Sequence, residues 1–408
     1  MKLPSFHYGW VIAATGVLVL FCCIGLARFA YTVLIPGMQT GLHFSYERLG
    51  FIGTSNFTGY LVAVFFAPFL IKRFRSRATI VAGLLLICVS MLAISRCSSF
   101  SVILILYTLA GVGTGLANIP MMTLTTNWFC KEQRGRAAGL VICGNGLGII
   151  FVGWIIPVFS NIFGAEGWRM SWLTLGLISF LIAVIAGLLL RNDPAEMGLQ
   201  PVGHGLQTRP NQPKLSGPEK SSGFLLRIGI PYLIFGTTFM IYGTFIVTTM
   251  INEYSLSEKT AGMYWSWVGF FSFFSGIAFG TLSDKIGRRY GLMVVFAVQT
   301  AAYLLAGLKL GNGGLIASII LYGMAVFAAP AIVTAAIGDH YSPSRVARAF
   351  SNATFFFACG QTIGPACAGI IGGDNGHFTT AYLFAAVLTA LAGGLSMRIP
   401  GPEKAKES

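Results

Sequence analysis

Arg28 is the only basic residue that lies well inside an apolar stretch long enough to cross a membrane. A charge at that depth is costly, about 3 kcal/mol or more for arginine, and commonly faces a cavity or a partner. Tyr31 and Thr32 follow three and four residues later and are expected on the same helix face. This group is suited to receiving an anionic substrate. The alternative is a structural arginine that reaches the outer surface or braces a helix contact. The segment from Phe29 to Pro36 separates Arg28 from that surface and favours the binding role.

Uncharged polar residues in other apolar stretches are candidates to complete such a site. Asn56 and Tyr60 are four residues apart and so share a helix face. Each candidate alone fits an interhelical hydrogen bond as well as a ligand contact. No Asp, Glu or Lys lies in the middle of an apolar stretch. The predicted substrate-binding residues are Arg28, Tyr31, Thr32, Asn56, Tyr60, Asn118, Asn145, Tyr242, Asn352 and Gln361.

A second set of residues, Gly280, Asp284, Gly287, Arg288 and Arg289, lies in a loop and is suited to gating. Gly280 is expected to let a neighbouring helix approach closely. Asp284 would end a helix where it can pair with basic groups or another helix N-terminus. Gly287 would make the turn, and the two arginines would hold the loop at the cytoplasmic face.

The equivalent segment of the first half, residues 67–77, is a degraded copy of this loop. Ala67 and Phe74 replace the glycines, and Ile71 replaces the aspartate. A latch built on this loop is therefore expected to be weaker in the first half.

The composition indicates that lipid surrounds much of the chain. Of its 408 residues, 55% are hydrophobic and only 10% are charged, against about 25% charged in soluble domains. Unbroken apolar runs of about 20 residues indicate membrane-spanning helices rather than barrel strands. The predicted fold is an all-α membrane protein with twelve transmembrane helices in two pseudo-symmetric six-helix bundles. The predicted spans are 9–36, 48–71, 79–95, 100–126, 137–163, 170–190, 225–251, 260–281, 290–308, 313–336, 347–372 and 377–398.

The placement of basic residues predicts the orientation in the membrane. The net charge is +14, and the 27 Lys and Arg residues divide into 21 on one side, five on the other and Arg28 within a span. Basic residues accumulate in cytoplasmic loops, so both termini are expected in the cytoplasm. Because the charges lie in loops of a membrane protein, nucleic acid is not an expected partner.

The longest connection divides the chain into two halves. Residues 192–224 are rich in Pro, Gly, Gln, Ser and Lys and have no apolar periodicity, which predicts a cytoplasmic linker. The predicted domains are a bundle at 1–191, this linker, and a bundle at 225–408 that ends in a short cytoplasmic tail. Two matched bundles around a central cavity are typical of transporters.

Glycines recur at close spacing in three of the predicted helices. Such glycines predict close helix packing, and the absence of a preceding strand or a following Lys-Ser or Lys-Thr argues against a nucleotide loop. They are Gly111, Gly113 and Gly115, Gly144, Gly146 and Gly148, and Gly360 and Gly364.

The segment from Gly280 to Arg289 matches every defined position of the loop motif of the major facilitator superfamily, and the chain resembles that superfamily over its whole length. Residues 25–36 resemble the YbfB/YjiJ-type group. Residues 191–201, with the sequence Arg-Asn-Asp-Pro-Ala-Glu-Met-Gly-Leu-Gln-Pro, and residues 8–10 also resemble the monocarboxylate and oxalate/formate porters. The monocarboxylate porters carry an Asp and an Arg in span eight. Span eight here lacks both, which argues against a lactate-type proton mechanism.

These features predict a secondary active transporter of the bacterial inner membrane that moves a small organic anion by alternating access. We expect a monomer in lipid with a small-molecule substrate, no cofactor and no metal, while a coupling proton or an exchanged anion remains open as a further partner. An exporter of amphipathic or aromatic compounds is one alternative, suggested by 33 Phe residues. A non-transporting sensor or assembly protein is another. An enzyme is not expected, because the sequence has no catalytic cluster.

The charge bias predicts that cysteines introduced by Pro210→Cys and Lys404→Cys, in a cysteine-free background, are protected from an impermeant label in intact cells. A cysteine introduced by Arg96→Cys, on the predicted outer side, should be labelled and serves as the control. Labelling of position 210 or 404 from outside would refute the orientation.

Overall fold

The computed structural model describes residues 7–203, 222–341, 343–373 and 376–400. Within these residues the fold is helical, and β pairing is limited to one isolated bridge between Phe129 and Val202. The predicted all-α class is confirmed. The helices are α1 (Gly9–Leu42), α2 (46–74), α3 (76–94), α4 (Phe100–Trp128), α5 (Lys131–Phe163), α6 (Gly167–Leu189), α7 (Ser222–Asn252), α8 (Glu258–Ile286), α9 (Arg288–Gly307), α10 (Gly311–His340, interrupted by a turn at Val326 and Phe327), α11 (Pro343–Gly372) and α12 (Thr379–Ser396).

Ten continuous helical stretches of the described chain are apolar and long enough to cross a membrane, and two of them contain two helices each. Tyr46–Ile94 has 49 residues, which at about 1.5 Å per residue exceeds twice the hydrocarbon thickness. It breaks at Arg75, where φ is 65° and ψ is 163°. Gln133–Leu189 has 57 residues and turns through the 3₁₀ segment Gly164–Glu166. The helices therefore correspond to the twelve predicted spans.

The packing of the chain divides it into two units. The first unit comprises Met1–Pro210 and Glu258–Gly269, and the second comprises Asn211–Ser257 and Phe270–Ser408. The first turns of α8 thus pack with the first unit. Residues 204–221, which form most of the predicted linker, lie outside the described residues.

Glycines allow the helices of the first unit to approach closely. A Cβ at Gly111 of α4 would overlap the backbone oxygen of Asn56 in α2. A Cβ at Gly148 of α5 would likewise overlap the Cα of Gly25 in α1. The predicted packing role of Gly111 and Gly148 is confirmed, and it brings α4 into backbone contact with α2 and α5 into backbone contact with α1.

The second unit uses the same device between α7 and α11. A Cβ at Gly360 would overlap the backbone oxygen of Leu233, and one at Gly364 would lie 2.5 Å from the oxygen of Thr237. These two residues are four apart, so they line one face of α11.

We predict that Gly360→Ala destabilises the protein, because its new methyl group would meet a backbone atom that cannot rotate away. Overpacking of this kind costs about 1–3 kcal/mol, so the apparent melting temperature should fall by several degrees in a thermal-shift measurement. Gly139→Ala is the matched control, because Gly139 is a helical glycine whose Cβ would meet nothing within 4 Å. Equal melting temperatures for the two variants would contradict the packing role.

Candidate functional site

The middle of α1 departs from α-helical geometry where the candidate arginine lies. Phe21–Phe29 is π-helical, with α-helical segments before and after it. Two side chains of α4 bond to its carbonyl oxygens: Thr114 donates to Cys23 O at 3.0 Å, and the Tyr107 hydroxyl donates to Arg28 O at 3.4 Å. Short π-helical segments are frequent at functional sites. This one places Arg28 beside α2 and α4.

Two aromatic rings of α2 hold the Arg28 guanidinium. Its central carbon lies 4.6 Å from the centre of the Phe57 ring and 4.7 Å from that of Tyr60. The negative faces of aromatic rings attract such a cation, by about 0.5–2 kcal/mol per contact. The described residues include no carboxylate that forms an ion pair with Arg28. Ring faces therefore take the place of an acidic partner.

One edge of the Arg28 guanidinium has unused hydrogen-bond donors. Its Nε and Nη2 atoms are both buried, and neither has a partner in the part of the chain that the structure describes. These two nitrogens point their N–H groups in parallel, and this fork is the edge on which a carboxylate can accept two hydrogen bonds. Buried donors are nearly always satisfied in folded proteins, so this edge is a candidate position for a partner other than the residues described here.

The structure brings three further predicted residues to the same region. Tyr60 provides a ring face, and its hydroxyl accepts a hydrogen bond from Asn118 Nδ2 at 3.4 Å. Because that hydroxyl acts as the acceptor, its own proton stays available to another acceptor. Asn56 donates from Nδ2 to Tyr107 O at 3.3 Å, and its Oδ1 is buried without a partner among the described residues.

The remaining first-unit candidates are Tyr31, Thr32 and Asn145. The Tyr31 hydroxyl donates to Leu49 O at 2.7 Å, and its ring packs against that of Tyr107 at 4.9 Å. The protein itself therefore uses the group that was expected to contact substrate. Thr32 and Asn145 are buried, with 3% and 6% of their surface exposed.

The second-unit candidates, Tyr242, Gln361 and Asn352, differ from one another in burial. Tyr242 is fully buried, shares a hydrogen bond with Ser318 at 2.8 Å and stacks on Tyr322. Gln361 is buried and Asn352 is exposed. The hydrogen bond of Tyr242 indicates a role in the core of the second unit.

Two aromatic residues of the first unit, Phe57 and Tyr107, were missed by sequence reasoning, and a third, Trp265, was not assigned to the site. Phe57 holds the guanidinium, and Tyr107 bonds to both Arg28 and Asn56. Trp265, in the first turns of α8, is fully buried 6.1 Å from the Phe29 ring, and its indole nitrogen has no described partner. The available signal was the position of Phe57 beside Asn56, one turn before Tyr60 on the helix predicted to line the site.

The gating candidates form an ionic cluster in the second unit. Arg288 bonds to Asp284 and to Ser283 Oγ, and its Nε lies 2.7 Å from Asp339 in α10. Gly287 makes the turn with φ of 95°, as predicted from its type. Arg288 is thus the centre of the cluster, bridging two carboxylates.

The other two gating candidates contribute less. Arg289 lies over the ring of its neighbour Tyr290, 4.5 Å from the ring centre. The close helix approach expected at Gly280 is absent from this structure, since a Cβ there would meet nothing within 4 Å.

Comparison with known proteins gives the same fold and a consistent set of relatives. A family model described as "Uncharacterised MFS-type transporter YbfB" matches residues 20–397. A hexuronate transporter of Bacillus subtilis is 22% identical and aligns over 92% of this chain and 91% of the relative. An oxalate:formate antiporter of Oxalobacter formigenes is 23% identical over 95% of this chain and 90% of the relative. Monocarboxylate transporter 2 of Mesocricetus auratus is 24% identical over 96% of this chain and 83% of the relative.

Solved structures support the fold alone, because their sequences are distant. A bacterial homologue of the human lysosomal transporter Spinster, in an inward-facing and occupied conformation, has a TM-score of 0.73 at 14% identity and covers 97% of both chains. The nucleoside transporter NupG has a TM-score of 0.73 at 12% identity and covers 97% of this chain and 99% of its own.

We predict that Asp284→Asn shifts the ratio of inward-facing to outward-facing molecules while the protein still inserts. Asp284 is 60% exposed and Arg288 keeps Asp339 as a partner, so the shift should correspond to about 1 kcal/mol or less. Arg288→Gln removes both pairs and should have the larger effect. Distances between spin labels, one in each unit, would measure the ratio. Unchanged distances in both variants would count against a latch.

Proposed function

Because the chain belongs to the YbfB-type family of the major facilitator superfamily, we propose that this secondary transporter moves a small organic anion, with Arg28 as its anchor. The observation that carries the proposal is the buried Nε and Nη2 edge of Arg28, which has no described partner. A cation buried without a counter-charge is unfavourable. An anionic substrate would remove that penalty on binding.

The chemistry of the edge favours a carboxylate. A planar carboxylate can accept both parallel N–H groups, one on each of its oxygens. The Tyr60 hydroxyl, held by Asn118, keeps a proton that it can donate to the same group. The rings of Phe57 and Tyr60 fix the plane of the guanidinium, so the direction of approach is set before the substrate arrives.

The relatives support the same substrate class. Those named above are called transporters of hexuronate, of monocarboxylates, and of oxalate and formate. All of these compounds are organic anions, although they differ in size and in the number of carboxylates. Their shared property is the one that the Arg28 edge can recognise, which supports the class rather than a particular compound.

A transporter of this family works in a membrane, and the basic-residue bias supports an inner-membrane orientation with both termini in the cytoplasm. In that orientation, Arg28 alternates between access from the two sides while it retains its own charge. Binding and release of the anion then change the net charge of the site.

We predict that Arg28→Lys weakens binding and that Arg28→Gln nearly abolishes it, with expression retained. Lysine keeps the charge but offers no planar two-donor edge, so a loss of about 1–3 kcal/mol, roughly 5-fold to 150-fold in Kd, is expected. Thermal-shift titration of the purified protein with oxalate, lactate and glucuronate measures this, because a ligand of the folded state raises its apparent stability. Neutral sugars should have little effect.

Arg48→Gln is the matched control. Arg48 also lies over an aromatic ring, that of Phe100 at 5.6 Å, but near the start of α2. It should keep wild-type binding. If Arg28→Gln binds the active carboxylate as well as the wild type does, Arg28 is structural, and an exporter of amphipathic compounds becomes the leading function.

A further inference from the structure

The segment that follows α6, residues 190–203, packs across one end of the first unit; we call it the strap. Val202 N donates to Trp128 O at 2.9 Å, and Cys130 N donates to Val202 O at 3.0 Å. The Trp128 indole donates to Arg191 O at 2.9 Å. Both ends of the strap are therefore bonded to the last residues of α4.

The N-terminal residues of the described chain add to this contact. The His7 ring bonds through Nε2 to Gln200 O at 2.9 Å, and a Cβ on Gly9 would overlap the Val202 side chain. The beginning of α1 thus packs on the end of the strap.

The middle of the strap holds the turn between α2 and α3. Glu196 accepts a hydrogen bond from Arg75 Nη1 at 3.0 Å. The same carboxylate accepts from the backbone and side-chain nitrogens of Asn192, at 3.1 and 3.4 Å. Asn192 Oδ1 in turn accepts from Arg77 N at 2.9 Å, and the Arg77 guanidinium donates to Gly187 O. One carboxylate therefore links the strap to a turn 121 residues away in sequence.

This turn has a counterpart in the second unit, between α8 and α9. Arg75 has φ of 65° and ψ of 163°, and Gly287 has φ of 95° and ψ of 151°. Matching the two sequences paired Gly287 with Phe74. In the structure the equivalent turn of the first unit lies one residue later, at Arg75. The residue three positions before the turn is Asp284 in the second unit and Lys72 in the first, so α2 has no carboxylate at that position.

The conformation of Arg75 requires support from its surroundings. This region of φ and ψ is favoured by glycine, and another residue there is less stable by about 1–3 kcal/mol. Arg75 is 73% exposed and Glu196 is 29% exposed, and an exposed ion pair alone contributes about 1 kcal/mol or less. The ion pair and the Asn192 and Arg77 hydrogen bonds must therefore act together to hold the turn.

We propose that Glu196 is the gating carboxylate of the first unit, supplied by the strap in place of the acid that α2 lacks. In the second unit, Arg288 is held by carboxylates of α8 and α10. In the first unit, Glu196 holds Arg75 from outside the two helices that the turn joins. Each unit then has an ionic latch at the corresponding turn. The proposal rests on the transporter class of the chain but not on the identity of its substrate.

Cys130 offers a native probe of the strap. Its thiol lies 4.0 Å from Pro201 O and is partly covered. Release of the strap should therefore expose this thiol to a maleimide. Labelling is followed by mass spectrometry of the peptide that contains Cys130, so that the other seven cysteines do not interfere.

We expect Glu196→Gln to raise the rate of Cys130 labelling at least about fivefold. It should also shift the ratio of inward-facing to outward-facing molecules, measured by spin labels, by about as much as Asp284→Asn does. Arg75→Gln should act likewise. The double variant should be no more reactive than either single variant, because both changes remove the same contact. Glu166→Gln is the matched control, since Glu166 pairs with Arg169 in a turn of the same unit and should change neither reading.

Three outcomes would overturn the proposal. They are unchanged labelling and ratio in a folded Glu196→Gln protein, additive effects of the two single changes, and faster labelling without any shift in the ratio. The last result would leave Glu196 as a structural brace only. No substrate is used in these measurements, so a failure of the Arg28 hypothesis would not affect their result.

Discussion

The charge of Arg28 within a membrane-spanning helix is the constraint on which the first unit depends. The described chain provides no acidic partner, so the guanidinium is held by the rings of Phe57 and Tyr60. That contact requires α1 and α2 to lie close together at this depth. Glycines let α5 pack closely on α1 and α4 on α2, and Thr114 and Tyr107 of α4 bond to the backbone of α1. The π-helical segment of α1 carries the arginine at this level. Fold and site are therefore linked, since α4 both packs on the helix that carries the two rings and bonds to the helix that carries the cation.

The twelve helices, and the position of Arg28 inside one of them, could be predicted from the sequence because both signals are local. The length of an apolar run can be counted in the sequence, and a charged residue inside the run can be recognised without knowing what it contacts. The roles of Phe57 and Tyr107 are not local in this sense. Aromatic residues make up 13% of the chain, so one ring does not stand out until the structure places it beside a cation. Tyr31 was assigned from α-helical spacing, but its hydroxyl bonds to Leu49 O. A π-helix has more residues per turn than an α-helix, so the π-helical segment changes which residues near Arg28 share a helix face. No sequence pattern predicted that segment.

The turn between α2 and α3 shows a second limit of sequence comparison. Matching the two halves residue by residue showed that the first copy had lost its acid and both glycines, which predicted a weaker latch. The structure shows that Arg75 adopts a conformation like that of Gly287, and that a carboxylate reaches it from Glu196. A motif records which residues adjoin in sequence, whereas an ionic contact requires only that they adjoin in space. Degradation of a motif therefore does not establish loss of the interaction that the motif provides elsewhere.

Arg28 differs from Arg75 and Arg288 in the type of group that holds its guanidinium. Arg75 and Arg288 are paired with carboxylates of the protein, so their charges are neutralised whether or not a substrate is present. Arg28 is held by ring faces, which stabilise a cation but do not cancel its charge. Arginine retains its proton in proteins, so this charge is not removed by titration. A cation that the protein stabilises without neutralising can attract an anion and still release it. Under the proposed function, a resident carboxylate at the same point would compete with the substrate carboxylate, whereas ring faces leave the donors of Arg28 available.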